Sequence, residues 1–332
     1  MAALPPLSGF RSALIVKPSS LGDIVHTLPA VHLIKQAHPH LHIRWIANPE
    51  WLPLIQGAPC VDEVIEFPRK QFRGLAAPFR YASWAREFKR RPKQAPEVVL
   101  DFQGLFRSAF IGRASGSRPI VGLSDSREGA RYFCDHVVPT NPSAHAVDRY
   151  LSIPEAFGIA VNRDDLHWPL PPGEPVTGFN IPHDFVLVHP WSRGEGKSLP
   201  PAVLNALLEE LAPRMVVLVG RHDSPPSALP AHVCDFANQT TLAQLIWLMR
   251  RASWNISVDS GPMHIAAAVN DRTLGIHTWS DPRKVGPYNP KALVWKAGRI
   301  ATRRELTETE CRSNMTVTEA AVGDMVRAVI DG

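Results

Sequence analysis

Short apolar runs alternate with longer amphipathic stretches along most of the chain. The short runs are rich in Val, Ile and Leu, as expected of parallel strands covered on both faces. The longer stretches repeat apolar residues every three or four positions, as helices do. This alternation predicts an α/β fold with parallel sheets and right-handed crossovers. The predicted strands are residues 12–17, 41–47, 61–67, 97–101, 185–189, 215–219, 254–258 and 273–277. The predicted helices are residues 23–37, 105–112, 202–211, 242–251, 263–269 and 316–330.

A proline-rich segment interrupts this alternation near the middle of the chain. Residues 168–182 read WPLPPGEPVTGFNIP, whose five prolines and two glycines exclude a regular element. We predict a first domain of residues 1–170, a linker of residues 171–182 and a second domain of residues 183–315. The last stretch, residues 316–332, is predicted to be a helix that packs back on the first domain. A chain of 332 residues is long enough for two such domains.

Composition and charge narrow the class of protein. Charged residues make up 20% and apolar residues 45%, which excludes a disordered chain and predicts a large core. The net charge is +5, but it is unevenly placed: residues 1–172 hold 20 basic and 15 acidic residues, whereas the remainder holds 16 of each. The first half is therefore predicted to meet an anionic partner.

The cysteines and the amino-terminal sequence indicate the cellular compartment in which the protein is expected. The four cysteines are far apart, with no C-x-x-C pair and no Cys/His cluster at metal-ligand spacing, so we predict neither a disulfide scaffold nor a metal site. The apolar run at residues 13–16 is too short for a signal peptide or a membrane span. We expect a cytoplasmic protein, and contact with a membrane surface stays open.

The first polar loop, KPSSLGD at residues 17–23, follows the first predicted strand and opens a helix. Lys17 supplies a cation, Ser20 a hydroxyl and Asp23 a carboxylate at the end of the sheet where ligands bind. A competing interpretation makes Asp23 a helix cap and Ser20 a turn residue. The loop lacks G-x-G-x-x-G and does not support a dinucleotide site.

A second polar loop, DFQGLFRS at residues 101–108, also joins a strand to a helix. Gln103 can donate and accept hydrogen bonds, and Arg107 can hold a phosphate or a carboxylate. A capped helix with a solvated arginine would explain the same residues.

The third loop, HPWSRGEGK at residues 189–197, follows the first strand of the second half. Ser192, Lys197 and two glycines could form a pyrophosphate cradle, although the spacing is not that of a P-loop. A flexible charged surface loop is the alternative.

The fourth loop, SVDSGPMH at residues 257–264, ends a strand and opens a helix. Backbone N–H groups at Ser260 and Gly261 would suit a diphosphate, and Asp259 could bind a hydroxyl. Helix capping explains Ser260 but not His264 beside Asp259, which favours a functional site.

The basic excess is concentrated in residues 69–93, which contain nine Lys or Arg and one Glu interleaved with aromatic residues. Arg69, Lys70 and Arg73 begin this segment. We predict that it lies at an interface and holds an anionic lipid acceptor and its membrane. The alternative is a pair of amphipathic helices, broken near Pro78, with a solvated basic face. Nucleic acid is disfavoured as a partner because the second half is neutral.

Together the loops resemble family nine of the glycosyltransferases, the ADP-heptose:lipopolysaccharide heptosyltransferases, and are most similar to its heptosyltransferase I branch. These motifs span nearly the whole chain in the family's order. The likeness rests on LGD at 21–23, DFQGLFRS at 101–108, P-x-S-R and then K at 190–197, SVDSGPMHIAAA at 257–268 and SDPRKVGPY at 280–288.

The resemblance implies a GT-B architecture, in which two Rossmann-like doubly wound domains face one cleft, with the acceptor on the first and the nucleotide sugar on the second. It implies an inverting, metal-independent transfer of heptose from ADP-heptose to a Kdo hydroxyl of Kdo-lipid A, without a cofactor. The chain has no D-x-D pair, which agrees with that expectation.

Family positions also imply roles for single residues. Asp23 matches the general base. The candidate donor-binding residues are Ser192, Lys197, Asp223, Thr240, Asp259, Ser260, Gly261 and His264. Of these, Thr240 matches the adenine side, and Asp223 stands near the place of a ribose-binding Glu. Trp191 departs from the family, which commonly has a small or hydroxyl residue there. The candidate acceptor-binding residues are Lys17, Ser20, Gln103, Arg107, Arg69, Lys70 and Arg73.

The expected partners are ADP-heptose, an anionic lipid A–Kdo acceptor and the inner face of the inner membrane. Two alternatives stay open. One is a family-nine enzyme with another nucleotide sugar or a non-lipid acceptor, and the other is a catalytically silent binding module of an envelope assembly.

Overall fold

The computed structural model describes residues 4–177, 181, 183–223, 226 and 228–330. The chain divides into two compact units, Met1–Pro171 and Pro172–Gly332. The division falls at the start of the predicted linker, of which residues 178–180 and 182 lie outside the described residues. Both units are doubly wound α/β structures, so the predicted fold class is confirmed.

The first unit contains one parallel sheet of six strands with helices between them. Its strands are β1 Ser12–Val16, β2 His42–Ala47, β3 Glu63–Glu66, β4 Glu97–Asp101, β5 Ile120–Leu123 and β6 His136–Val138. Its helices are α1 Leu21–Ala37, α2 Ala77–Arg90, α3 Phe106–Ala114 and α4 Ala146–Ala156. Every residue of β1 and β4 is buried, because both sheet faces are covered.

The second unit repeats the design with one added edge strand. Its strands are β7 Val186–His189, β8 Val216–Leu218, β9 Val233–Asp235, β10 Trp254–Val258, β11 Thr273–His277, β12 Leu293–Lys296 and β13 Arg299–Thr302. Its helices are α5 Pro201–Glu210, α6 Leu242–Arg251, α7 Gly261–Val269, α8 Pro282–Val285, α9 Glu308–Arg312 and α10 Val322–Ile330. The strand β13 is antiparallel to β12 and closes one edge.

The strand orders show where each sheet reverses direction. The first sheet runs β3-β2-β1-β4-β5-β6, and the second runs β13-β12-β11-β10-β7-β8-β9. In the first unit the order reverses between β1 and β4, and in the second between β7 and β10. Ligands of doubly wound sheets bind outside the carboxyl ends of the strands at such switch points. All four polar loops singled out in the sequence follow one of these four strands.

The basic segment forms one helix and not a pair broken near Pro78. A short 3-10 turn covers Arg69–Gln71, and α2 begins at Ala77 with Pro78 in its first turn. Proline is well tolerated there because the first-turn N–H groups have no helical partner. No helix among the residues described is long and apolar enough to cross a membrane.

The last helix contributes to the core of the second unit. Met325 and Val329 of α10 are buried in the same core as Val203 and Leu207 of α5. The helix lies against its own unit because its apolar side chains complete that core.

We expect Met325→Ala to lower the free energy of unfolding by about 2–5 kcal/mol, because it leaves a cavity in the second unit's core. Urea denaturation measures the change. The matched control is Ile330→Ala, a residue of the same helix that is 44% exposed, for which a change below about 0.5 kcal/mol is expected. Equally small losses in both variants would contradict this placement of α10.

Candidate active site

A pocket of about 350 Å³ lies at the switch point of the first unit. Its wall is largely polar, and five charged side chains line it: Lys17, Asp23, Asp125, Arg127 and Arg149. Lys17 follows β1, and Gln103 and Gly104 in the wall follow β4, so the pocket occupies the place where the fold favours a ligand.

Lys17 is the most buried charge of this pocket, with an exposed fraction of 2%. Its Nζ donates hydrogen bonds to the carbonyl of Phe102 at 3.0 Å and to the Tyr150 hydroxyl at 2.7 Å. Burial lowers the pKa of Lys17, and the nearby carboxylate of Asp23 counteracts this effect. Because the hydrogen bonds of the ammonium go to protein groups, Lys17 acts mainly through its charge, on the neighbouring Asp23.

Asp23 is a partly exposed carboxylate beside this buried ammonium, 3.9 Å from the Lys17 Nζ. Its Oδ2 accepts hydrogen bonds from the Ser20 amide at 3.1 Å and the Ser20 hydroxyl at 2.7 Å, and its Oδ1 accepts one from Tyr150 at 3.1 Å. Burial acts to raise the pKa of Asp23. Lys17 and the hydrogen bonds from Ser20 and Tyr150 outweigh burial and hold that pKa below its ordinary value.

Asp23 therefore fits both interpretations made from the sequence: it caps a helix, and it presents a carboxylate to the pocket. The bond from the Ser20 amide is the backward half of a capping box at the start of α1, while the other carboxylate oxygen lies beside Lys17 and Tyr150. The capping bond fixes the side chain, and its exposure of 38% leaves it open to a ligand in the pocket.

The second loop is shaped by Asp101 at the end of β4. Its carboxylate accepts hydrogen bonds from the amides of Gln103 and Gly104 and from the Ser108 hydroxyl. Gly104 has a φ of +62°, and a Cβ there would lie 3.1 Å from Ser126, so the turn needs glycine. Gln103 reaches the pocket, where its Oε1 accepts from the Ser19 amide at 3.2 Å.

The remaining predicted acceptor residues lie apart from the residues that line this pocket. Arg107 is on α3 and is half-buried, and Arg69, Lys70 and Arg73 are exposed before α2. Burial lowers the pKa of Arg107, and the positive charge of Arg69 adds to that effect. The two guanidinium groups therefore repel each other at this place.

Among the pocket residues that were missed from the sequence, four carry a charge or a phenol: Asp125, Arg127, Arg149 and Tyr150. Asp125 forms an ion pair with Arg149, and Arg149 precedes Tyr150 on α4. The helical period of residues 146–156 was a signal for α4, but nothing local indicated that Tyr150 would meet Lys17, 133 positions away.

A second polar cluster lies at the switch point of the second unit and is centred on Asp259. The Asp259 Oδ2 accepts hydrogen bonds from the Lys197 ammonium at 2.6 Å and from the Ser280 hydroxyl at 2.6 Å. The Lys197 ammonium also lies 4.7 Å from the ring centre of Trp279. Thus the loops after β7, β10 and β11 meet on one carboxylate.

The ionisation states in this cluster follow from burial and pairing. Burial acts to raise the pKa of Asp259. The His277 ring when it is protonated, the Lys197 ammonium and the Ser280 hydroxyl outweigh burial and hold the Asp259 pKa below its ordinary value. Burial lowers the pKa of His277 to about 4, so the ring is neutral at neutral pH.

The hydrogen-bond pattern also assigns the proton on His277. The single Ser280 hydroxyl hydrogen goes to Asp259, so His277 Nδ1, 2.9 Å from that hydroxyl, carries the ring proton and donates it. His277 Nε2 is then an acceptor, buried and without a hydrogen bond among the residues described.

The helix α7 begins next to this cluster. Ser260 is its N-cap residue, Gly261 its first residue, and His264 is buried within it. Ser192 lies on the loop after β7, and its hydroxyl donates to the Asp259 carbonyl at 3.4 Å. The structure therefore brings together Ser192, Lys197, Asp259 and the start of α7.

Asp223 and Thr240 lie on loops after the neighbouring strands β8 and β9. Asp223 is exposed and Thr240 is half-buried. Trp191 is buried and stacks on His222 with ring centres 5.1 Å apart. Gly220 has a φ of +127°, and a Cβ there would lie 2.9 Å from Trp191. This glycine therefore makes room for the large Trp191 side chain, which stands where the family commonly has a small or hydroxyl residue.

Within the described part of the chain, no group of three or more His, Cys, Asp or Glu side chains is arranged to hold a metal ion. The charged groups at the two switch points are instead carboxylates paired with lysine or arginine.

Two doubly wound units, each with a polar site at its switch point, are the architecture found in glycosyltransferases of the GT-B type. Comparison with known sequences agrees with this class. The chain belongs to glycosyltransferase family 9 (heptosyltransferase), whose profile matches residues 85–314. The family resemblance seen in the motifs is thereby confirmed.

Curated relatives and solved structures extend the likeness over nearly the whole chain. Lipopolysaccharide heptosyltransferase 1 of Pseudomonas aeruginosa is 29% identical in an alignment of length 299, which covers 83% of this chain and 81% of that protein. Lipooligosaccharide heptosyltransferase 2 of Haemophilus influenzae is 25% identical in an alignment of length 319, which covers 85% of this chain and 87% of that protein.

The fold is shared with a solved enzyme. The Escherichia coli heptosyltransferase WaaC with ADP aligns with a TM-score of 0.75 and 21% identity, covering 96% of this chain and 99% of that one. The same enzyme with ADP-2-deoxy-2-fluoro heptose gives 0.74 and 20%, with 95% and 99% covered.

We expect the stability of the second unit to fall between pH 6.5 and about 4 because of His277. Its folded pKa of about 4 lies below its ordinary 6.5, so between these values the unfolded chain binds more protons than the folded one. The loss approaches about 3 kcal/mol. Urea denaturation at a series of pH values measures it.

The test variant is His277→Asn, whose amide can still donate to Ser280, and it should flatten this pH slope. The control is His40→Asn at an exposed position, which should keep the wild-type slope. An unchanged slope in His277→Asn would contradict the assignment.

Proposed function

We propose that this chain is a lipopolysaccharide heptosyltransferase of the heptosyltransferase I type, which transfers heptose from ADP-heptose to a Kdo hydroxyl of Kdo-lipid A. The observation that carries the proposal is Asp23, a partly exposed carboxylate kept ionised at the wall of a charged pocket. Family membership and the similarity to WaaC, solved with ADP and with a fluoro-heptose analogue of ADP-heptose, support the donor.

The proposed reaction is a single inverting displacement. The acceptor oxygen attacks the anomeric carbon of the heptose while its proton passes to Asp23. The bond from that carbon to the diphosphate oxygen breaks, and ADP leaves with the electron pair. An ionised carboxylate within hydrogen-bond reach provides general-base assistance of about 10²–10⁴-fold. The low pKa of Asp23 keeps it in the proton-accepting form at neutral pH.

The second unit is proposed to bind the donor and stabilise the leaving diphosphate without a metal ion. Lys197 provides a point charge, Ser192 a hydroxyl, and the start of α7 at Ser260 and Gly261 provides free backbone N–H groups. Asp259 is poised for the sugar hydroxyls, with His264 close to it. Thr240 is proposed for the adenine and Asp223 for the ribose.

The first unit is proposed to bind the acceptor. Gln103 and Ser20 border the pocket around Asp23, while Lys17 acts there by its charge. Arg69 and Arg107 repel each other, so a phosphate or carboxylate between them would relieve that repulsion. Lys70 and Arg73 add to this positive surface.

We also propose that the protein works on the cytoplasmic face of the inner membrane. Leu75 and Phe79 are 100% and 79% exposed, next to the basic residues that begin the segment 69–93. Phe106 and Phe110 of α3 are also partly exposed. Apolar side chains beside basic ones are the pattern that binds anionic lipid surfaces.

Replacing the base tests the reaction. We expect Asp23→Asn to lower kcat/KM by about 10²–10⁴-fold, because the amide cannot accept the acceptor proton, while ADP-heptose binding is retained. Transfer is measured as ADP release with Kdo-lipid A. The control is Glu155→Gln, a surface carboxylate at the end of α4. Full activity in Asp23→Asn would exclude Asp23 as the base.

Vesicle flotation tests the membrane contact. We expect the wild-type protein to float with anionic phospholipid vesicles. The double variant Leu75→Ser, Phe79→Ser should partition onto them at least about 100-fold less, since each apolar side chain contributes about 1.5–3 kcal/mol when buried. Met315→Ser, an exposed residue of the second unit, is the control. Equal flotation of all three proteins would contradict the contact.

A further inference from the structure

Tyr150 lies between the buried ammonium of Lys17 and the carboxylate of Asp23. Its hydroxyl is 2.7 Å from the Lys17 Nζ and 3.1 Å from the Asp23 Oδ1. The ring is 5% exposed and belongs to α4, which packs on α1, the helix that carries Asp23. One hydroxyl thus connects the only two charges that the KPSSLGD loop contributes.

The direction of this chain of hydrogen bonds follows from the donors available. An ammonium can only donate, so Lys17 must donate to the Tyr150 oxygen. The single hydrogen of the phenol then goes to Asp23, which as a carboxylate can only accept. Burial, followed by the charge of Asp23, raises the pKa of Tyr150 well above its ordinary value, so the hydroxyl keeps its hydrogen.

These bonds leave Asp23 restrained at both oxygens. Oδ2 accepts twice from Ser20, whereas Oδ1 accepts once, from Tyr150. A carboxylate oxygen has two lone pairs, so Oδ1 keeps one for a further donor. A Tyr hydroxyl fixes that direction better than a mobile group would, because its ring is held edge-on to Phe102 at 5.9 Å and beneath Lys17 at 4.5 Å.

We infer that Tyr150 is a positioning residue for the transfer reaction: it orients the Asp23 carboxylate and transmits the influence of Lys17 to it. This inference rests on the proposed function, since it assigns Tyr150 a role through the proposed base. Tyr150 acts through Asp23 and is not itself the group that takes the acceptor proton.

Other titratable groups act at the same place and have to be considered in the test. Asp101, Asp125 and Arg149 all act electrostatically on Lys17 from neighbouring elements, and Arg127 also lines the pocket. The rings of His26 on α1 and His145 before α4 lie 5.2 Å apart at the interface of the two helices. The wild type and the Tyr150 variant both contain these groups, so direct titration of the Asp23 carboxyl is needed beside the activity profile.

The test is the pH dependence of Tyr150→Phe, which removes only the hydroxyl. Loss of a hydrogen bond to the charged carboxylate should raise the Asp23 pKa and move the acidic limb of kcat/KM upward by about one pH unit. The value of kcat should fall by about 10-fold because the base is less well oriented, while KM for ADP-heptose changes little. Tyr132→Phe, which loses an exposed hydroxyl of the same unit, should keep the wild-type profile.

A second variant and a direct titration of Asp23 test the role of Tyr150 independently of enzyme activity. Lys17→Met should also move the limb upward. The double variant should shift it by less than the sum of the two, because part of the Lys17 effect passes through the Tyr150 hydroxyl. Titration of the ¹³C-labelled Asp23 carboxyl by NMR should show the same order of Asp23 pKa values among these proteins, and it requires no turnover. A lower melting temperature with an unmoved Asp23 pKa in both single variants would reduce Tyr150 to a structural residue and overturn the inference. Absence of transfer by the wild type would instead refute the proposed function, and the carboxyl titration would still decide this inference.

Discussion

The first unit depends on a lysine ammonium buried at the carboxyl end of its central strand. A charge removed from water is costly unless its donors are satisfied. The groups that accept hydrogen bonds from the Lys17 ammonium must therefore stay in place around it. It ties the end of β4, through the Phe102 carbonyl, to α4, through Tyr150, and it lies 3.9 Å from Asp23 on α1. The order β3-β2-β1-β4-β5-β6 makes this possible, because α1 and the loop after β4 both begin at the point where the sheet reverses.

The second unit uses the same topology with the charges exchanged. There the buried group is a carboxylate, Asp259 at the end of β10, and the cation that reaches it is Lys197 on the loop after β7. Ser280 and His277 extend the network inward to the end of β11. One fold used twice thus gives a site with an available carboxylate, suited to accepting a proton, and a site with a cation and a helix start, suited to an anion.

Eight of the thirteen strands among the described residues were predicted, because each of them contains a short apolar run that ends at a polar loop. The bounds of β4, β10 and β11 match the predicted ones. The strands β5, β6, β9, β12 and β13 were not predicted. The loops after β1, β4, β7 and β10 were recognisable because polar residues and glycine follow those runs directly. Tyr150 and Asp23 are 127 positions apart, and their meeting depends on how α4 packs on α1, which no local pattern encodes. The helix α10 was recognised, but an amphipathic pattern does not specify which core receives its apolar face. The roles assigned to single site residues stay predictions.

The most direct measurement is the product formed when the purified protein is incubated with ADP-heptose and Kdo-lipid A. We expect stoichiometric release of ADP and one heptose added to the Kdo residue. The anomeric configuration in the product should be opposite to that of the donor, as determined by mass spectrometry and NMR. A product with retained configuration, or release of free heptose without any glycosylated lipid, would contradict a single displacement assisted by Asp23.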